Sequence, residues 1–259
     1  MDTKTLRTAN DRYWINRAQG YSKVNQEELA GVQRHKWMEL LTGIISERID
    51  KDPREISILD IGAGPGFISI ILTEAGYSLT AADYAYAMLE EAKSNAGQMA
   101  EQINFVREDA MNLSFASGEF DVVVSRNLTW NLPDPKKAYS EWIRVLKVGG
   151  LLINFDANWY TYLFDDEKRK EYEMDRINVA DADYEDYNIG ENFDLMEDIA
   201  LKLPLSNVKR PEWDKSTLAK LGLEDIKAIA DIGQCVYSEK ELINYASTPL
   251  FMVYGKKVL

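Results

Sequence analysis

Leu59-Asp60-Ile61-Gly62-Ala63-Gly64-Pro65-Gly66 ends a short apolar run that starts at Ile56. An isoleucine-rich run that stops in glycines is the pattern of a buried strand turning sharply into a helix. Helical spacing follows over 67–75 and is stopped by Gly76. Further along, strand patterns at 78–82, 103–107, 120–125 and 151–156 alternate with helical ones at 87–99 and 135–146, the last ended by Gly149-Gly150. Strands separated by helices of about a dozen residues imply an α/β fold with a mostly parallel sheet covered on both faces.

Outward from this core the rhythm changes. On the N-terminal side, Asn25 with Glu28 three residues on has capping-box spacing, and Leu29, Val32, Leu40, Leu41, Ile44, Ile45 and Ile49 recur at helical spacing until Asp52-Pro53. On the other side, the stretch after Trp159 is rich in tyrosine, and 165–198 carries fourteen acidic and four basic residues. It reads as an inserted cap. Strand and helix patterns resume with a helix at 216–221 closed by Gly222, a strand at 226–232, a helical turn at 239–245 and a strand at 250–254. The expected organisation is an N-terminal helical arm (1–52), a core (53–158), the acidic cap (159–211) and a C-terminal part of the core sheet (212–259).

Bulk composition narrows the function. The 259 residues are 46% hydrophobic, enough for one sizeable core, and the net charge of -13 disfavours a nucleic-acid partner. No apolar run is long enough to span a bilayer, and 1–5 has no secretory character, so neither a membrane partner nor export is expected and the cytoplasm is the default compartment. The single cysteine, Cys235, excludes an internal disulfide and reads as a small core residue; no metal cluster is apparent.

In an open parallel sheet, ligands bind beyond the carboxyl ends of the strands. A dinucleotide fingerprint G-x-G-x-x-G would need glycine at 67, which is Phe67. The observed G-x-G-x-G, formed by Gly62, Gly64 and Gly66, suits close approach by the amino-acid part of S-adenosylmethionine rather than a pyrophosphate. Asp83, with Tyr84 beside it, ends the second strand, where a carboxylate can accept from both ribose hydroxyls. Asp109 follows the third strand and can accept from the adenine amine, while the Ala110 N–H can donate to a ring nitrogen. Met88 offers a soft side chain to the adenine face. The carboxylates at the ends of successive strands describe one nucleoside pocket.

These motifs together resemble the class I S-adenosylmethionine-dependent methyltransferases of the small-molecule, ubiquinone-biosynthesis-like type. The resemblance covers about 56–155 and rests on 59–66, on Asp83 through Met88-Leu89, on Glu108-Asp109-Ala110 through Phe115, on Phe120-Asp121-Val122-Val123-Val124, and on Arg144-Val145-Leu146-Lys147-Val148-Gly149-Gly150. Ala85 stands where the family often has serine, and Val148 where proline is usual. The resemblance implies a Rossmann-like seven-stranded sheet with an antiparallel last strand, S-adenosyl-L-methionine as cofactor, and Asp60, the glycines, Asp83 and Asp109 around it. It also implies an N-terminal segment, Tyr13-Trp14 through Tyr21, folded over the cofactor, with Tyr21 above the sulfonium or packing the arm on the core.

The acceptor is a different matter. The family often has histidine after the fourth strand, but Trp130 or Asn131 fills that position, and the one histidine, His35, sits on the arm as a surface residue. Catalysis by proximity is therefore expected. Asn127 and Trp130 share the outer spacing of an Asn-Pro-Pro-aromatic motif but lack both prolines. The Asn127 backbone is expected at the methionine end of the cofactor and Trp130 in the wall of the acceptor pocket. Asp156, Asn158, Trp159 and Tyr160 follow the fifth strand and should border the acceptor, where an aromatic box with carboxylates would suit an amine. The expected function is methylation of a small molecule, nitrogen slightly favoured over oxygen or sulfur. Rival readings are a nicotinamide oxidoreductase, which Phe67 opposes, a non-catalytic cofactor-binding module, and a protein methyltransferase.

Overall fold

The structure is a computed structural model that describes residues 3–188 and 193–258. Its seven strands are β1 (Ser57–Ile61), β2 (Ser78–Asp83), β3 (Ile103–Arg107), β4 (Phe120–Arg126), β5 (Leu146–Asp156), β6 (Leu223–Ile229) and β7 (Phe251–Lys257). They form one sheet in the order β3-β2-β1-β4-β5-β7-β6. The pairs from β3 through β5 are parallel, and β7 runs antiparallel to both of its neighbours. This is the expected Rossmann-like sheet. β1 and β4 lie at its centre, buried on both faces, which is why each reads as a continuous apolar run. The strand order reverses between them, so a crevice opens at their carboxyl ends.

The helices are α1 (Thr3–Ala30), α2 (Val32–Arg48), α3 (Phe67–Glu74), α4 (Tyr86–Ala96), α5 (Pro135–Val145), α6 (Asp166–Asp181), α7 (Phe193–Ala200), α8 (Glu212–Lys220), α9 (Gly233–Val236) and α10 (Glu239–Asn244). One face of the sheet is covered by α2 and α3 through Trp37, Leu41, Ile45 and Phe67, the other by α5 and α8 through Tyr139, Trp142 and Leu218. No described helix is long and apolar enough to cross a membrane.

Four expectations need correction. The arm's helix does not start at a cap on Asn25: α1 is already helical from Thr3, and Asn25 and Glu28 are buried inside it. Its inward stripe, Leu6, Asn10, Tyr13, Ser22, Asn25 and Glu28, is helical in spacing but mostly polar, so an apolar-periodicity test passes over it. Gly149 and Gly150 do not end the helix before β5; they lie within β5, with Gly149 at φ 81°. A Cβ on Gly150 would lie 2.8 Å from the Lys147 carbonyl and 3.0 Å from that of Asp121. The sixth strand begins directly after Gly222, three residues before the expected start. Cys235 is exposed on the short helix α9 rather than packed in the core. His35 sits on the surface of α2, as expected, next to Glu39.

Candidate active site

The crevice holds two adjoining pockets, with about 1050 and 1160 Å³ of unfilled space. The first lies over the carboxyl ends of β1, β2 and β3 and is roofed by α1. Its floor is the glycine loop. Gly62 has φ 71° and a Cβ there would meet the Leu128 side chain at 2.6 Å; Gly64 has φ 53° and faces the Tyr21 ring. The loop's N–H groups are satisfied inside the protein. Gly62 and Ala63 donate to the Ala82 carbonyl at 2.8 and 3.0 Å, Gly66 donates to the Ala63 carbonyl at 3.0 Å, and Gly64 donates to Asp83 Oδ2 at 2.9 Å. A pyrophosphate cradle needs such N–H groups free for the anion. This loop is a bare, close-packed floor.

Gly66 departs from its expected role. It does not line the pocket; it begins α3 at φ 93°, and a Cβ there would sit 2.9 Å from the Ala92 Cβ of α4. Its glycine lets α3 and α4 approach. Gly66→Val is expected to destabilise the fold by roughly 2–4 kcal/mol through backbone strain plus overpacking, seen as a lower urea midpoint. A shift below 0.5 kcal/mol, on the order of the limit for harmless surface changes, would contradict this packing role.

The side chains around the floor fall where the strand ends place them. Asp60, Gly62, Gly64, Asp83, Tyr84, Met88, Asp109, Ala110 and Asn127 all line the first pocket. Asp60 is buried and accepts from Ser69 Oγ at 2.6 Å; burial pushes its carboxyl up to about 6, against the pull of Ser69 and Arg126. Asp83 accepts from the Gly64 and Ala85 N–H groups, one on each oxygen, and burial pushes it too up to about 6. Each of its oxygens keeps a second lone-pair direction. Asp109 receives the Met111 N–H on Oδ1 and the Arg7 guanidinium on Oδ2 at 2.8 Å. Arg7 also lies 4.5 Å from the Tyr84 ring centre, so α1 is latched over this end of the pocket by a residue whose role the sequence did not suggest.

Asn127 sits at the carboxyl end of β4 with φ 58°. Its N–H donates to the Phe155 carbonyl, its carbonyl accepts from Trp130 Nε1 at 3.0 Å, and its side-chain Oδ1 is buried with no partner. The side chain thus offers an open acceptor in addition to the backbone carbonyl, which keeps a second lone-pair direction. An orphaned buried amide oxygen in the pocket that the Asp60 carboxylate also lines fits an ammonium group of a bound ligand.

The second pocket lies against α1, the cap and α10. Trp130, Trp159 and Tyr160 line it, together with Tyr13, Tyr162, Tyr187, Tyr237 and Tyr245. Tyr160 packs on Trp130 with ring centres 5.2 Å apart. Trp14, Tyr21, Arg126 and Asn127 belong to both pockets and form the wall between them. Burial pushes the Tyr21 phenol above the usual tyrosine range, so it is neutral at pH 7. Arg126 is fixed by a two-pronged ion pair to Glu28 at 2.9 and 2.8 Å and lies over the Phe67 ring.

Asp156 and Asn158 are corrections. Asp156 has no exposed surface and points into the protein, accepting from Thr129 Oγ1, the Trp130 N–H, Trp159 Nε1 and Arg210 Nη1. Asn158 Nδ2 donates to the Arg210 carbonyl. Neither lines either pocket. Asp156 instead holds the two tryptophans that do line one. Among the described residues, no group of three His, Cys, Asp or Glu side chains is placed to hold a metal.

Comparison with known proteins bears on the family and the fold. Residues 59–154 match the family described as a methyltransferase domain. The ubiquinone/menaquinone biosynthesis C-methyltransferase UbiE of Roseobacter denitrificans is 31% identical over 166 residues, covering 62% of this chain and 63% of that protein. A demethylmenaquinone methyltransferase of Renibacterium salmoninarum is 32% identical over 130 residues, covering 50% and 51%. The chain thus spans about half to two thirds of the curated relatives it matches. Among solved structures, phosphoethanolamine N-methyltransferase 2 of Haemonchus contortus, with phosphomonomethylethanolamine and S-adenosylhomocysteine bound, superposes with a TM-score of 0.58 at 15% identity, covering 96% of this chain and 60% of that one. At that identity the likeness carries the fold alone.

Proposed function

We propose, for a chain that carries a class I S-adenosylmethionine-dependent methyltransferase domain, that it methylates a small molecule held in the second pocket, with nitrogen favoured as the accepting atom. The observation that carries this reading is the shared wall. Trp14, Tyr21, Arg126 and Asn127 face both pockets, so a donor in the first and an acceptor in the second would meet there. The first pocket supports the cofactor assignment residue by residue. Asp83 would accept from the ribose hydroxyls, Asp109 and the Ala110 N–H would meet the adenine edge, and Met88 would pack on the ring. Gly62 and Gly64 would let the methionine part approach, and its ammonium would face Asp60 and Asn127 Oδ1.

When bound, the cofactor supplies the electrophilic methyl group. What the chain contributes is alignment and exclusion of water. Tyr21 and Trp14 come from a helix that closes over the wall, and Trp130 is held rigid by two hydrogen bonds, from its N–H to Asp156 and from its indole to the Asn127 carbonyl. No histidine is near, so rate enhancement rests on positioning and desolvation. The many aromatic faces of the second pocket favour a cationic amine over a neutral alcohol or thiol.

The direct test is calorimetry with S-adenosylhomocysteine and NADH, followed by transfer of labelled methyl groups to fractions of a cell extract. Binding of the first ligand only, with label in small molecules, is the expected result. Tight NADH binding, or label only in macromolecules, would refute the proposal. A pH dependence follows as well. Asp83 accepts from both hydroxyls only when ionised, and its carboxyl lies at about 6. Affinity for S-adenosylhomocysteine is expected to be constant above pH 7 and to fall between pH 6 and pH 5, approaching about tenfold per pH unit. A flat profile between pH 7 and pH 5 would contradict the role of this carboxylate. Stability of the free protein should respond in the opposite sense. A carboxyl raised from 3.8 to about 6 binds its proton more tightly when folded, so its contribution declines as pH rises through that window.

A further inference from the structure

Four charged side chains line the second pocket: Arg17, Glu28, Arg126 and Glu241. Glu28 and Arg126 neutralise each other through their two-pronged pair. The other two have no ion-pair partner among the described residues. Glu241 is only 6% exposed. All three hydrogen bonds that it accepts, from Gln33 Nε2 at 2.9 Å, Ser238 Oγ at 2.7 Å and the Ser238 N–H at 2.8 Å, fall on Oε2. Among the described residues Oε1 has no hydrogen-bond partner. Nor does the Arg17 guanidinium, midway along α1, have a hydrogen-bond or ion-pair partner among them. A carboxylate held at one oxygen leaves the other free to accept from a ligand's donor.

The two charges come from different elements. On α1, Arg17 lies one helical turn from both Tyr13 and Tyr21, whereas on α10 the Glu241 carbonyl accepts from the Tyr245 N–H at 2.9 Å. Around the negative end, Tyr245 packs against Trp159 at 5.3 Å and Tyr237 at 5.6 Å, giving ring surfaces next to the carboxylate. Rings beside a carboxylate suit an ammonium group, and a guanidinium without a partner suits an acid. Arg17 and Glu241 sum to zero charge. A ligand with one ammonium and one carboxylate therefore leaves the site neutral, while a dianionic phosphate adds negative charge to a protein that already carries -13.

We propose that the methyl acceptor is a small zwitterion, its amine against Glu241 Oε1 and its carboxylate against Arg17. This rests on the methyl-transfer reading above. The test uses the full chain. S-adenosylhomocysteine is titrated first by calorimetry. At saturation, ω-amino acids from glycine to 5-aminopentanoate are titrated alongside the alkylamine and the carboxylic acid of matching length, with the fluorescence of Trp14, Trp130 and Trp159 as the signal. At least one ω-amino acid is expected to bind at least tenfold more tightly than both of its single-charge analogues. Arg17→Gln should abolish the advantage over the amine and leave the amine's own affinity unchanged, with Arg17→Lys restoring part of it. Glu241→Gln should abolish the advantage over the acid. Unchanged S-adenosylhomocysteine affinity shows that each variant is folded. Equal binding of zwitterion and analogues, losses in the variants that ignore probe charge, or no probe binding to the saturated protein overturns the proposal and leaves the cofactor reading standing. Failure of S-adenosylhomocysteine itself to bind overturns both.

Discussion

Asp83→Ala is expected to weaken S-adenosylhomocysteine binding by at least about 100-fold, because a carboxylate accepting two hydroxyls makes charge-assisted bonds of roughly 1.5–3 kcal/mol each. The effect has a second source. Asp83 Oδ2 accepts from the Gly64 N–H at 2.9 Å and Oδ1 from the Ala85 N–H at 2.8 Å, so the carboxylate also ties the glycine floor to the end of β2. Asp83→Asn keeps one acceptor oxygen but turns a donor toward one of these N–H groups, and should lie between wild type and alanine. The folded state should not suffer in proportion. Burial raises this carboxyl to about 6, which means that its charge opposes folding at neutral pH. Calorimetry for affinity and thermal melting for stability separate the two effects. An affinity within threefold of wild type would remove Asp83 from the cofactor site.

Arg210→Met should cost about 3–5 kcal/mol of stability, the usual penalty for removing one partner of a buried ion pair. Arg210 is 1% exposed at its side chain and lies between Asp156 and Asp214, both at 0%. It donates to Asp156 Oδ2 at 2.7 Å, to Asp214 Oδ2 and Oδ1 at 2.9 and 2.7 Å, and to Thr129 Oγ1 at 2.7 Å, with its guanidinium over the Phe251 ring. Without it, two carboxylates are left in the interior with no cation. Urea unfolding reads the loss directly. Arg210→Met combined with Asp214→Leu removes one of those carboxylates and should recover a substantial part of it, since an apolar replacement of similar volume is often neutral. The single variant should also loosen Trp130 and Trp159, because both are held by Asp156. That is visible as a changed tryptophan emission in the still-folded protein at low denaturant. A stability loss below 1 kcal/mol, on the order of that of an exposed pair, would contradict the interior role assigned to Arg210.

The two variants mark the two kinds of information in this chain. Asp83 was legible. A strand ends where its apolar run ends, and the next residue stands at the sheet edge whatever the rest of the protein does. The same holds for the glycine loop, for Asp109 and for Asn127. Even there, contact detail escaped. Gly66 serves helix packing because α4 passes within van der Waals distance of it, and the Asn127 carbonyl is taken by an indole three residues on.

Arg210 was not legible, nor were the charges of the second pocket, although Trp130, Trp159 and Tyr160 were expected to border the acceptor and do line that pocket. Arg126 meets Glu28 across 98 positions, Gln33 meets Glu241 across 208, and Arg210 meets Asp156 across 54. No periodicity connects residues so far apart. Two of these side chains were also disguised by local patterns that they do fit. Glu28 has capping-box spacing with Asn25 but lies within α1, and Glu241 closes a real capping box with Ser238 while also lining the second pocket. Asp156 was misread because a strand end fixes where a residue stands but not which way its side chain points, and the buried Arg210 decides that.

From the amino-acid order alone follow the parallel sheet, the crevice at its carboxyl edge and the groups that line the first pocket, because strand and loop signals are local and the sheet edge gathers them. The tertiary structure alone determines the wall that the two pockets share and the charges of the second pocket. Those side chains come from α1, the cap and α10, segments that meet only when the hydrophobic core has brought them to one place.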